Sequence, residues 1–244
     1  KDKTIIEFRP GNVNSNKGFI NCTVKGGKYG ITQCNYYITY EILQVRFEEM
    51  VSAVNIDGCT QNNTIGDFEA VRCSTAVSVI STDGCCTEPF RNDKLNIINV
   101  DVKDCDVGLG IRAGGNNKNG FVAITNCTFE NIKSSALWTS GGGTHLFQNI
   151  KVKNCGMSSG SALSISSKYG VAANYIEIDN SDLNVNGVGL HVRGTGVISH
   201  VTLKGFSSSE KSINAYGEIE VDHVESDGTL DGGIYVARSQ FSDF

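Results

Sequence analysis

Proline is almost missing from this chain: only 2 occur in 244 residues. Proline cannot donate to a strand ladder, so its scarcity fits a chain held mostly in sheets. Charged residues are few, at 19%, and no basic run occurs. With a net charge of −5, nucleic acid is not expected as a partner. No apolar stretch approaches the roughly 18 residues that cross a membrane. The chain opens at Lys1 rather than methionine and shows no leader, so a fragment of a longer protein is expected. The 9 cysteines lack metal-ligand spacing, and Cys85-Cys86 is an adjacent pair rather than a C-x-x-C. An odd number leaves at least one thiol free or paired between chains. Several cysteines fall at core positions, where Cys acts as a small apolar residue, so mostly reduced, buried thiols are expected. No motif calls for a metal or a cofactor, and there is no Asp-rich calcium repeat.

Hydrophobic residues make up 39% of the chain and glycine is abundant at 28, enough for one large all-β domain over 1–244. The chain repeats itself. Asn21, Gln44, Asp67, Asn99, Asn126, Asn149, Tyr175, His200 and His223 recur as anchors, 23 to 32 residues apart. Two residues before each anchor stand Phe19, Ile42, Ile65, Ile97, Ile124, Phe147, Ala173, Ile198 and Val221. The residue after each anchor is also apolar in every unit, from Cys22 to Val224. So is the third after it, from Val24 to Leu203, until Ser226 ends the series. The residue between these two is polar every time. Apolar and polar residues alternating with period two mark strands with one buried face.

Five residues after the anchor comes a second turn position: Gly26, Glu49, Arg72, Asp104, Asn131, Asn154, Asn180, Gly205 and Gly228. These are turn and cap formers. A third strand follows in each unit, opening on a small residue such as Gly30, Ala53, Gly108 or Gly233 and continuing with an aliphatic one. Thr4 to Phe8 reads as one more such strand. A unit of three short strands and no helix cannot bury its own apolar face. Stacking at ~4.8 Å makes three parallel sheets around one core, about ten coils and roughly 45 Å long. Right-handedness follows from the crossover rule. A sandwich or barrel would instead show hairpin turns and no alignment in columns.

Asn99, Asn126 and Asn149 fall on successive coils, each followed by an inward apolar residue. An asparagine at a tight bend, stacked coil on coil, resembles the pectate-lyase-like superfamily of right-handed β-helices. The resemblance covers nearly the whole chain and is strongest to the shaft of a bacteriophage tailspike. It implies a fold, whereas that superfamily spans lyases, hydrolases, epimerases, tailspikes and adhesins. Tyr175, His200 and His223 depart from its asparagine pattern, and no amphipathic segment caps the first coil.

Insertions at 81–94, 113–120 and 182–188 flank the third strand, so a groove is expected over that sheet. In the resembled family the groove holds a saccharide. Outward residues there are Glu7, Thr32, Asn55, Ser78, Gly110, Trp138, Ser164, His191, Asn214 and Tyr235. A second outward column holds Arg9, Asp57, Arg112, Ser140, Ser166, Arg193 and Tyr216. Trp138 either stacks on a sugar ring or packs under a flanking loop. Arg112, Asn214 and Tyr235 are the further candidate substrate contacts.

For β-elimination on a uronic acid, His191 or Tyr216 is the candidate base and Arg193 the clamp on the carboxylate. For hydrolysis, two carboxylates about 5–10 Å apart are needed; Glu7, Asp57, Asp83, Glu88 and Asp93 lie near the groove, and Asp57, Asp83 and Glu88 are the leading candidates. Each set has the alternative of an ordinary solvated surface. His200 and His223 stack on consecutive bends, where capping competes with a two-histidine metal site. Glycosylation sequons at Asn21, Asn62 and Asn126 read as chance matches, since two of them are ladder anchors.

Ile20, Leu43 and Ile98 precede successive anchors and form an apolar ridge, a sign of a covered surface. The resemblance implies a parallel homotrimer in contact there. It also implies a bacterial surface polysaccharide as partner and a virion tail or extracellular location. Open strand edges at both ends of a β-helix point again to flanking parts of a longer chain. The competing readings are a secreted polysaccharide lyase or hydrolase, and a non-catalytic structural or adhesive rod.

Overall fold

A computed structural model describes residues 4–8, 17–34, 40–57, 63–80, 94–113, 120–156, 161–180, 188–206, 211–227 and 229–238. These residues form a parallel β-solenoid of about six turns, with no helix among them. The first strands are β1 (Thr4–Phe8), β2 (Lys17–Cys34), β3 (Tyr40–Asp57), β4 (Asn63–Val71) and β5 (Thr75–Ile80). The middle of the chain gives β6 (Lys94–Lys103), β7 (Val107–Ala113), β8 (Phe121–Glu130), β9 (Leu137–Gly141) and β10 (Thr144–Lys153). The last are β11 (Ser161–Ser166), β12 (Gly170–Asp179), β13 (Val188–Lys204), β14 (Lys211–Ser226) and β15 (Thr229–Arg238).

Every pairing is parallel. One ladder runs β3-β4-β6-β8-β10-β12-β13, and a second returns β13-β11-β9-β7-β5 to close on β3. The hydrogen-bonded network is a single 15-stranded sheet, where the sequence pattern divides it into three. The reason lies in the bends. All nine anchors have positive φ, between 47° and 56°. One left-handed residue turns the chain sharply, and the ladder resumes on the next residue. Left-handed φ costs ordinary side chains about 1–2 kcal/mol and asparagine less. Most second-turn residues share this geometry: Glu49, Arg72, Asp104, Asn131 and Asn154 lie at 53° to 57°, Gly26 at 67° and Gly205 at 83°.

Side chains at the bends bond from turn to turn. Asn99 Nδ2 donates to Asp67 Oδ1 (2.9 Å), Asn126 to Asn99 (3.2 Å) and Asn149 to Asn126 (2.9 Å). A second amide ladder joins Asp104, Asn131 and Asn154. Asn180 departs from its column. Its φ is not positive, and its buried amide clasps Cys155 instead, accepting from the Cys155 N–H and donating to its carbonyl, both at 3.0 Å.

The core is one continuous cluster built from the three apolar columns around the anchors, the aliphatic column of the third strand, and Cys73, Cys105, Ile132, Cys155 and Phe206 beside the second turn. Phe47, Phe129 and Phe206 each need a glycine opposite. A Cβ on Gly30 would run into the Phe47 ring, and on Gly189 would lie 2.6 Å from Phe206; on Gly108 it would meet the Ala136 carbonyl oxygen first, with Phe129 at 3.0 Å. That is why the small column holds glycine at these levels and alanine at others. Cys73, Cys105, Cys127 and Cys155 are buried free thiols, and burial pushes the last two up to about 12. Cys59, Cys85 and Cys86 lie outside the described residues.

Two parts of the sequence pattern are corrected. The last unit is shorter than its neighbours. Leu230 pairs with Ile213 and Gly232 with Ala215, not Ile234 and its neighbours, after register shifts on both sides. The apolar ridge is also narrower than read. Leu43 is half-buried and leans over Gly66, where a Cβ would come within 2.9 Å of it. Ile98 remains 37% exposed.

Candidate functional site

The third-strand face carries the residues in the expected register. Glu7 pairs with Thr32, then Asn55, Ser78, Gly110, Trp138, Ser164, His191 and Asn214 follow level by level. The strands of this face end at 81–93 and 114–119, or begin after 157–160 and 181–187. Those segments, with Asp83 and Glu88 in the first, lie outside the described residues.

Tyr235 does not join the column. It pairs with Glu220, and Asp231 takes the place beside Asn214, because the last turn is short. Trp138 is half-buried. Its indole spreads over Gly110, where a Cβ would sit 2.8 Å from Nε1 and 2.9 Å from Cε2. Glycine at 110 is therefore the notch that lets the indole lie down on the sheet.

His191, Arg193, Asn214 and Tyr216 form one cluster on β13 and β14. His191 pairs with Asn214 and Arg193 with Tyr216. The His191 and Tyr216 rings stand 5.5 Å apart, tilted by 52°. Asn214 Nδ2 donates to the Tyr216 hydroxyl at 3.5 Å, and its buried Oδ1 has no partner among the described residues. Partial burial, and secondarily the Arg193 charge, hold the His191 imidazole below the usual histidine range. A neutral imidazole is the form that accepts a proton.

Beside this cluster lies an open recess of about 580 Å³. Ser166, Lys168, Arg193, Thr195 and Tyr216 line it, and among the described residues no carboxylate does. Sequence reasoning missed Lys168. The turn that places it is held by Ser167, which donates to Gly143 O at 2.6 Å and accepts from the N–H groups of Tyr169 and Gly170. The Ser-Ser-Lys-Tyr-Gly run following the third strand is the signal that could have found it.

The remaining candidates are spread out. Arg112 is exposed and pairs with Ile80 and Ser140, so three turns, or roughly 14 Å, separate it from Arg193. Asp57 pairs with Cys34 and Ile80 and lies further still from the cluster. The described residues bring no pair of carboxylates together on this face.

At the anchor bends, the Tyr175 and His200 rings stack at 4.8 Å and 25°, and His200 and His223 at 4.8 Å and 1°. Parallel imidazoles aim their in-plane lone pairs side by side and cannot converge on one ion. Among the described residues no group of His, Cys, Asp and Glu could hold a metal. Compared with known proteins, this chain matches no protein family, no curated protein and no solved structure.

Proposed function

We propose that this chain is a tailspike-like β-helix module that binds a bacterial surface polysaccharide along its third-strand face. In this reading the solenoid is right-handed, has about ten coils and presents three faces. It works on a virion tail or outside the cell, as a parallel homotrimer. The observation that carries the reading is the line from Trp138 to Tyr216. Trp138 and His191 stand two turns apart, roughly 10 Å, about two sugar units along a chain laid over the sheet. An aromatic plane at one end and a recess with two cations at the other suit a polymer carrying acidic groups.

A second reading, cleavage by β-elimination, is favoured by the neutral His191 beside Arg193 and Tyr216. Arg193 would pair with the uronate carboxylate and acidify C5–H. His191, or Tyr216 as phenolate, would take that proton. The electron pair would form the C4=C5 bond while the C4 oxygen leaves with the departing chain.

The test is incubation with a panel of capsular, O-antigen and plant polysaccharides, following binding, product length and the ultraviolet absorbance of an unsaturated uronate. Binding that falls about tenfold in both Trp138→Ala and Arg193→Ala, about 1.4 kcal/mol each, supports the groove. New absorbance, lost in His191→Ala, establishes the lyase. Shortened chains without absorbance turn attention to Asp57, Asp83 and Glu88. A panel that neither binds nor is cut leaves a structural or adhesive rod.

A further inference from the structure

The anchor bends change character halfway along the solenoid. From Asp67 to Asn149 they carry short side chains in a hydrogen-bonded row. From Tyr175 onward they carry three stacked rings. Asn149 is the last amide of the row: its Nδ2 donates to Asn126, and the next bend carries the Tyr175 ring. Tyr175 is the first ring, and its second face looks back over the shorter amides. At this step the ring projects and stays 51% exposed. A recess of about 530 Å³ opens there, lined on the amide side of the ring by Asn126, Thr128 and Asn149, beside it by Lys151 and Glu177, and continuing past Tyr175 to His200 and Thr202.

We infer that this step is a second saccharide site, taking a neutral sugar ring against the free face of Tyr175. The volume falls within the ~300–1,000 Å³ of small-ligand sites. The C–H face of a pyranose is apolar and suits a tyrosine plane, while its hydroxyls can donate to Asn149 Oδ1 and Thr128. Charge selects a neutral ligand: Lys151 Nζ and Glu177 Oε2 stand 3.8 Å apart and offset each other. The site is independent of the Trp138 groove, because it sits at the anchor bends and shares no residue with that face.

The experiment titrates the protein with neutral hexasaccharides of glucose, mannose and galactose, by calorimetry and by NMR shifts of the Asn149 and Tyr175 amides. Tyr175→Asn is the informative variant. Asparagine tolerates the positive φ of 56° and extends the amide row, so the fold is kept while the ring is lost. Trp138→Ala is the control on the other face. The expected result is binding of at least one hexasaccharide, weakened tenfold or more in Tyr175→Asn and unchanged in Trp138→Ala. Equal binding by Tyr175→Asn overturns the site, and so does a wild type that binds none of the three. Failure of the groove reading would instead show as Trp138→Ala having no effect on acidic polymers, whatever Tyr175 does.

Discussion

His145 shows what burial does to one residue. Its side chain is fully buried, its Nε2 lies 3.2 Å from Gly142 O, and its Nδ1 lies 3.1 Å from the Thr139 hydroxyl. A carbonyl only accepts, so Nε2 carries the proton and Nδ1 accepts from Thr139. A second proton would put a charge in this dry site, and burial depresses the pKa to about 4 from 6.5. The sign follows. Between those values the unfolded chain takes up a proton that the folded chain refuses. Stability is full above 6.5 and falls as the pH drops toward 4, by about 1.4 kcal/mol per unit and about 3 kcal/mol in all. Denaturant unfolding at several pH values checks this, with His145→Asn as reference. The difference between the two proteins should shrink as the pH falls through that window, and a constant difference would show that His145 does not titrate there. The sequence marks His145 with nothing, since it stands four residues before the Asn149 anchor, outside every column of the repeat. By contrast the burial of Cys127 was legible, because it stands in an apolar column.

At the scale of the element, the bend is the unit. Its position was legible because each bend interrupts a period-two pattern at a fixed phase, and all nine anchors turn with positive φ. Local exceptions were not legible, because a neighbouring turn decides them. Asn180 belongs by sequence to the second-turn column, yet its amide serves Cys155 one turn away. Tyr235 belongs by sequence to the groove, yet a short last turn moves it opposite Glu220. Asn126 sits mid-row, donating to Asn99 and accepting from Asn149. Asn126→Ala loses both bonds and forces a Cβ residue into left-handed φ without side-chain compensation. Asn126→Gly loses the same bonds but meets no Cβ penalty. Unfolding midpoints should therefore rank native above Gly above Ala, with Ala lower by about 1–2 kcal/mol. An alanine variant as stable as the glycine one would mean that the bend geometry is held by the ladders alone.

On the scale of the whole molecule, each turn buries its apolar columns against the turns before and after it. The sequence pattern could reveal this stack because the contacts repeat in register along the chain. It could not reveal whether rods pack side by side, since that depends on which outward side chains stay exposed after neighbours lean over them. Leu43 illustrates the difference, half-covering Gly66, so that Ile98, at 37% exposure, carries the apolar character of that ridge among the residues with described side chains. The homotrimer reading then makes a sharp demand. Sedimentation should give three times the 26.2 kDa chain mass, and Ile98→Asp should return it to one chain without lowering strand content. A charge introduced at a buried contact costs several kcal/mol, whereas on a solvated ridge it costs almost nothing. A native protein that sediments as one chain at every concentration would place the ridge in solvent. Polysaccharide binding would then have to come from a single rod, with Trp138 and Arg193 acting on one polymer without help from neighbouring copies.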